Sequence, residues 1–247
     1  MRKRIIPCLD TKGGRVVKGV NFKGLADIDS PLRLARKYSD EGADELALYD
    51  IASSLEGRLI FTDLVRNVAA VISIPLIVGG GLRTLADCQI ILDSGADKLS
   101  INSGALADRN LIHQAANRFG SERIVLSADV KIVAGEYHIF SQGGSVDTGL
   151  SALAWIKNCA ADGAGELILN SIDTDGVRSG YDIEMLKAIT DAVDIPVVAS
   201  GGAGSIQDII DVFEKVPRVS AALAASIFHY ETVKLTDLKK ALAEHGY

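Results

Sequence analysis

The residues that could do chemistry stand at the ends of apolar runs. Ile5-Ile-Pro-Cys-Leu-Asp10 and Ile124-Val-Leu-Ser-Ala-Asp129 each finish in a carboxyl group. Two such groups facing one another could divide acid-base catalysis, one accepting a proton while the other donates one. Taken singly, an aspartate in this position also serves as a helix cap or a loop brace. Glycine provides a second signal. Gly79-Gly80-Gly81 and Gly201-Gly202 each follow an apolar run and precede a helical stretch, where bare backbone N–H groups and a helix N-terminus can hold a phosphate. Ser100-Ile-Asn102-Ser103 and Ala224-Ala225-Ser226 would set hydroxyl and amide donors beside those turns. A tight turn explains one glycine cluster equally well. The pair implies a ligand with a phosphate at each end. Asp173 and Asp175, in Ser171-Ile-Asp-Thr-Asp-Gly176, suit either substrate hydroxyls or a cap on the next helix.

Short runs rich in Ile, Val and Leu alternate with amphipathic stretches of ten to thirteen residues, the pattern of repeated βα units that build a parallel sheet. Eight units can be drawn. The strands are expected at Ile5–Leu9, Glu45–Asp50, Ile74–Val78, Lys98–Asn102, Ile124–Asp129, Glu166–Ser171, Ile195–Ser200 and Ala221–Ala225. Helices are expected between them, near Pro31–Glu41, Phe61–Ile72, Thr84–Ser94, Asp108–Phe119, Leu150–Asp162, Ile183–Val193, Ser205–Lys215 and Val233–His245. The chain also resembles itself. Glu41–Ile51 aligns with Asp162–Ile172, and Ile74–Gly81 with Ile195–Gly202, at a common shift of 121 residues. These features predict an α/β fold, a single (β/α)8 TIM barrel domain over 1–247 with a two-fold repeat of half-barrels, about 1–120 and 121–247. An open doubly wound sheet explains the alternation but not the symmetry. In a barrel, Asp10 and Asp129 would end opposite strands and meet across the mouth. At the other end Arg4, Glu45, Lys98 and Glu166 each begin a strand and would ring the bottom opening, although charged strand starts often simply face solvent.

The bulk composition narrows the function. A chain of 247 residues with 48% hydrophobic and 23% charged residues is long enough for one barrel and too apolar for disorder. Its net charge of -6 and lack of a basic run argue against nucleic acid, so any anion must meet a local site. No apolar stretch approaches the roughly 20 residues of a membrane helix, and the apolar run after the basic start is too short for a signal peptide. A cytoplasmic enzyme is expected. Cys8, Cys88 and Cys159 lack metal or redox spacing and read as reduced, buried thiols. The four histidines form no HxxxH or HExxH pair, so no protein-held catalytic metal is expected; no other cofactor is expected either.

Lys3-Arg-Ile-Ile-Pro-Cys-Leu-Asp10, Gly14-Arg-Val-Val-Lys-Gly-Val-Asn-Phe22, Val78-Gly-Gly-Gly81, Gly95-Ala-Asp-Lys-Leu-Ser-Ile-Asn102, Asp173-Thr-Asp-Gly176, Ser179-Gly-Tyr-Asp182 and Ala199-Ser-Gly-Gly-Ala-Gly204 resemble the cyclase subunit of imidazole glycerol phosphate synthase. The resemblance runs from the first residues to about His245. It implies a lyase-type cyclase of histidine biosynthesis that combines ammonia with a phosphoribulosyl-formimino aminoimidazole carboxamide ribonucleotide. The products would be imidazole glycerol phosphate and aminoimidazole carboxamide ribonucleotide. It places Asp10 and Asp129 on the acid-base pair and Lys18 on a loop lysine that meets the substrate. Gly81, Asn102 and Ser103 match one phosphate site, and Gly176, Gly202, Ala225 and Ser226 the other. Asp50, Asn170, Asp175 and Ser200 match further pocket positions. Arg4, Glu45, Lys98 and Glu166 match a gate through which ammonia from a glutaminase partner would enter, and Asp97 matches a contact to that partner in a heterodimer. Gly13, Ala52 and Asn170 depart from the commonest pattern, which bears on rate and loop motion. A sister isomerase shares the barrel, the paired aspartates and both phosphate sites. The start of the chain, Lys18-Gly-Val-Asn-Phe22 and the complete gate favour the cyclase. A related branch serving surface-sugar amidation tends to lose the first aspartate, and a non-catalytic scaffold would be expected to lose one or both.

Overall fold

The computed structural model describes residues 2–20 and 23–247, with the side chains of 18–25 outside that description. In chain order the first half contains β1 (Arg4–Lys12), β2 (Arg15–Val20), β3 (Lys23–Asp29), α1 (Pro31–Asp40), β4 (Leu46–Asp50), α2 (Thr62–Ala69), β5 (Leu76–Gly79), α3 (Leu85–Asp93), β6 (Lys98–Ile101), α4 (Ser103–Ala107) and α5 (Asn110–Phe119). The second contains β7 (Ile124–Val133), β8 (Glu136–Ser141), β9 (Val146–Ser151), α6 (Ala152–Ala161), β10 (Glu166–Ser171), α7 (Ile183–Thr190), β11 (Val197–Ser200), α8 (Ile206–Lys215), β12 (Val219–Ala224), α9 (Ser226–His229) and α10 (Leu235–Glu244). Strands β1, β4, β5, β6, β7, β10, β11 and β12 pair in parallel, and the β7–β10 pairing closes them into a ring. With a helix following each ring strand, this is the (β/α)8 barrel the alternation predicts.

Two side-chain layers hold it. Residues facing the helices, among them Ile5, Leu9, Leu46, Leu48 and Val78, pack against apolar helix faces such as Ile209, Ile210, Val212 and Phe213 of α8. The alternate residues, among them Ile6, Cys8, Ala47, Ile77, Val125 and Ile168, fill the barrel interior. Because side chains along a strand alternate between faces, the inner positions on β1 run Arg4, Ile6, Cys8, Asp10. On β10 they run Glu166, Ile168, Asn170. Helix starts are fixed locally. Pro31 opens α1, and Thr84 with Asp87 and Ser205 with Asp208 form capping boxes on α3 and α8.

The ring strands fall within about two residues of their expected positions, but β1 and β7 run on past the barrel into antiparallel partners that the alternation did not predict. At both reversals consecutive residues have positive φ, Gly13 and Gly14 at 58° and 78°, and Ala134 and Gly135 at 51° and 87°. That geometry belongs to two-residue turns matched to strand twist. Gly13-Gly14 was the available sequence signal.

Inside the barrel, Tyr49 occupies space that only a glycine opposite leaves open. A Cβ on Gly79 would stand 2.5 Å from the Tyr49 ring. Gly79→Ala should therefore destabilise the fold by about 1–3 kcal/mol through overpacking, and Tyr49→Leu in the same chain should recover most of that loss. Urea unfolding of the two single variants and the double variant checks this, and additive losses would refute the contact.

Candidate active site

The C-terminal strand ends open into a cavity of about 960 Å³. Asp10, Asp50, Gly81, Asn102, Ser103, Asp129, Asn170, Asp175, Gly176, Ser200, Gly202, Ala225 and Ser226 all line it. Of the residues expected in the pocket only Lys18 cannot be placed, because its side chain lies outside the described residues.

Asp10 and Asp129 stand near the top of the barrel-forming parts of β1 and β7, which are four places apart in the eight-membered ring, so their carboxyl groups project from opposite walls. The Cys8 thiol donates to Asp10 Oδ1 over 3.5 Å. Asp129 is held from both sides. Asn102 Nδ2 donates to its Oδ2 at 3.0 Å, and Asn170 Nδ2 to its Oδ1 at 2.9 Å. Burial pushes the Asp129 carboxyl up to about 6, with Asp175 and Asp10 adding in the same direction and the two amides opposing. A carboxylate tuned there is a stronger base than an ordinary one and is still mostly ionised at neutral pH.

Below this pair lies Tyr49, whose hydroxyl pairs with Ser100 Oγ at 3.0 Å. Burial, first, and the nearby Cys8, Asp10 and Asp129 keep the phenol protonated. Sequence reasoning passed over Tyr49, although its place two residues beyond Ala47 on an inward-facing row was a usable signal.

The glycine turns face the cavity. Just ahead of α3 and α8, backbone N–H groups are taken up by the carboxylates of the capping boxes. Asp87 Oδ2 accepts from Arg83 N and Thr84 N, and Asp208 Oδ2 from Gly204 N and Ser205 N, at 2.8–3.0 Å. What the cavity meets instead is the glycine turns themselves and the starts of α4 and α9 at Ser103 and Ser226. Gly81 and Gly202 have positive φ and sit tightly against loop carbonyls, those of Arg58 and Gly180, so a Cβ fits at neither. Asp50 braces its own loop, with its carboxylate receiving Ala52 N and Ser53 N at 3.1 Å and Arg58 Nη1 at 2.6 Å. Asp182, not Asp173 or Asp175, caps α7. Asp173 accepts from Ile132 N at 3.1 Å, and Asp175 lines the cavity.

At the other end of the barrel the four strand-start charges form a closed ring. Arg4 pairs with Glu45 and Glu166, and Lys98 Nζ lies 3.0 Å from Glu45 and 2.8 Å from Glu166. Both glutamates are buried. Burial alone would lower the Arg4 pKa, but hydrogen bonds and charge from Glu166 and Glu45 outweigh it and raise it. Asp97 is exposed on the same face, with Oδ2 accepting from Leu76 N at 2.8 Å. All three cysteines are buried and outside any disulfide, and burial pushes Cys88 and Cys159 up to about 12. Among the described residues no helix is long and apolar enough to cross a membrane.

A closed (β/α)8 barrel with facing carboxyl groups at its C-terminal mouth defines a barrel enzyme, since that face carries the chemistry of such folds. The family described as histidine biosynthesis protein matches residues 4–234, and the chain belongs to that family. It is 50% identical over 247 residues to imidazole glycerol phosphate synthase subunit HisF of Helicobacter hepaticus, covering 100% of this chain and 97% of the relative. It is 51% identical over 243 residues to the protein of the same name from Alkaliphilus metalliredigens, covering 98% and 96%. With that of Sulfolobus acidocaldarius it shares 48% over 244 residues, covering 99% and 97%.

Removing one carboxylate from the ring leaves two cations facing a single partner in a partly buried site. Glu166→Ala should lower the unfolding free energy by about 3 kcal/mol. A loss under a few tenths in urea titration at pH 7 would mean that the ring contributes no net stability.

Proposed function

We infer that this chain is the cyclase subunit of imidazole glycerol phosphate synthase. It uses ammonia to convert the phosphoribulosyl-formimino aminoimidazole carboxamide ribonucleotide into imidazole glycerol phosphate and aminoimidazole carboxamide ribonucleotide. The observation that carries the reading is the facing pair, Asp10 and Asp129, set across one cavity between two glycine turns. The turn at Gly81 with Asn102 and Ser103 would take one phosphate of the substrate. The turn at Gly202 with Gly176, Ala225 and Ser226 would take the other. This spans the ligand across the mouth and presents its reacting middle to the two carboxyl groups. Asp129, poised near 6, accepts a proton, and Asp10 serves the opposite transfer. Lys18 would meet the same substrate from β2, since the segment after β1, expected as a loop, is the β2–β3 hairpin.

Ammonia is supplied by a glutaminase subunit docked on the face that carries the Arg4–Glu45–Lys98–Glu166 ring, with Asp97 among its contacts. Three things support this: the family's subunit names, the resemblance in the ring residues, and the lack of any plausible glutaminase nucleophile here. Cys88 and Cys159 are held as inert thiols, and Cys8 faces Asp10 at the barrel interior.

The purified chain should form product from the nucleotide and an ammonium salt, followed by absorbance, and should not use glutamine until the glutaminase subunit is added. Arg4 and Glu45 variants should impair the glutamine-dependent reaction more than the ammonia-dependent one. Asp10→Asn and Asp129→Asn should each reduce kcat by about a hundredfold or more while binding persists. The acid limb of kcat/KM should lie near 6 because protonation removes the acceptor at Asp129, and the rate should rise above it as neutral ammonia increases. Turnover of the pathway's isomerase substrate without any nitrogen source, and no cyclisation product under any condition, would overturn the reading.

A further inference from the structure

Asn170 and Ser200 stand at matching heights on the neighbouring strands β10 and β11, where Asn170 pairs with Ser200 in register and with Asp129 on the other side. Their side chains form a directed chain. Ser200 Oγ donates to Asn170 Oδ1 at 3.0 Å, and Asn170 Nδ2 donates to Asp129 Oδ1 at 2.9 Å. An amide has one accepting and one donating end, so a hydroxyl donating to its oxygen turns the NH2 toward the carboxylate. The reverse orientation would aim a carbonyl oxygen at Asp129 and favour its protonated form. Gly201 leaves room for the amide in this position: a Cβ there would stand 3.0 Å from Asn170 Oδ1 and 2.7 Å from the Ser171 carbonyl.

We propose that Ser200 and Asn170 are positioning residues for Asp129: the Ser200 hydroxyl locks the Asn170 amide as a fixed donor, and that donor sets the pH at which Asp129 takes up a proton. This assigns both side chains to the carboxylate instead of to the substrate, and it rests on the reading of Asp129 as the proton acceptor. The direction of the effect follows from what surrounds the carboxyl group. Burial, Asp175 and Asp10 favour its neutral form, while the amides of Asn170 and Asn102 favour the ionised one, Asn170 more strongly. The other titratable or charged groups lining the mouth are Cys8 and Lys12 on β1, Tyr49 and Asp50 on β4, Glu56 after it, Lys131 on β7 and Asp173 after β10. His138 and Asp147, paired with each other at 3.1 Å, lie on the adjoining hairpin. None of these donates to Asp129 among the described hydrogen bonds. Losing Asn170 therefore leaves a single amide, that of Asn102, to hold the ionised form.

The test is a carbon-13 NMR titration of aspartate carboxyl groups in the unliganded full chain, with the Asp129 signal identified by its loss in Asp129→Asn. Asn170→Leu should raise the Asp129 midpoint by about one pH unit. Ser200→Ala should raise it less, by freeing the amide to turn, and Ser200→Thr, which keeps the hydroxyl, should restore it. The acid limb of kcat/KM in the ammonia-driven reaction should move with the midpoint. An unchanged midpoint in both Asn170→Leu and Ser200→Ala, with any loss confined to KM, would overturn the relay and make these residues substrate contacts. Should Asn170→Leu fail to fold, the Ser200→Ala and Ser200→Thr pair decides the matter alone. The titration needs no turnover, so an inactive wild-type chain would sink the cyclase reading and leave the relay separately measured.

Discussion

Everything in this molecule depends on the two-residue alternation of side chains along eight parallel strands closed into a ring. Closure fixes which alternate set points inward, and the strand direction then orders that set from bottom to top. Arg4, Ile6, Cys8 and Asp10 form one such row, Glu45, Ala47 and Tyr49 a second, Lys98, Ser100 and Asn102 a third, and Glu166, Ile168 and Asn170 a fourth. Each begins with a charge of the bottom ring, passes through the interior and ends at or just below the C-terminal mouth. A slip of one residue in any strand would send its bottom charge and its mouth-facing group to the helix-facing side. The ion-pair ring, the filled interior and the active site are therefore three levels of one packing arrangement.

The mouth is acidic, yet the substrate assigned to it carries two phosphates. The structure limits this conflict locally. Asp50 is neutralised by Arg58 and by two backbone amides, and the carboxylates of Asp87 and Asp208 turn away to cap α3 and α8. The remaining acids cluster at the middle of the mouth, where burial first and then the charges of Asp175 and Asp10 raise the Asp129 pKa. Charges unfavourable to a phosphate are thus kept at the middle of the site, and the glycine turns stand to either side. Lys12 and Lys131, two residues beyond Asp10 and Asp129, add positive charge toward the rim.

The loops around the mouth brace one another through backbone. Gly81 accommodates the Arg58 carbonyl and Gly202 the Gly180 carbonyl, while Gly204 lies against the carbonyl of Arg178, itself in a left-handed conformation at φ 60°. Arg58 stacks on Phe61 and Arg178 on Tyr230, tying each loop to a neighbouring segment. The geometry of the two turns is thereby set by other loops as well as by the glycines' own freedom.

Much of this was legible in the sequence. Apolar runs located the eight ring strands, because a strand buried on both faces is continuously apolar, and the polar residue ending each run marked the mouth. Asp10, Asp129, the glycine turns and the charged strand starts all followed from that local pattern. The hairpins of β2–β3 and β8–β9 did not: β9 is largely exposed, and the apolar residues that β2 and β8 bury, Val16, Val17, Ile139 and Phe140, stand in pairs too short for the alternation of strand and helix to single out. The partners of individual side chains were also beyond reach. That Asp87 and Asp208 fill the helix starts, that Tyr49 lies over Gly79, and that Asn170 turns to Asp129 depends on which groups the closed ring brings together. Asn170 and Asp129 are 41 residues apart in sequence and adjacent only through the β7–β10 register. The sequence by itself determined the order of elements and the types of residue at each strand end, because periodicity is local information. Only the tertiary structure decided which donor faces which acceptor, because hydrogen bonds between strands depend on register, closure and the exclusion of water.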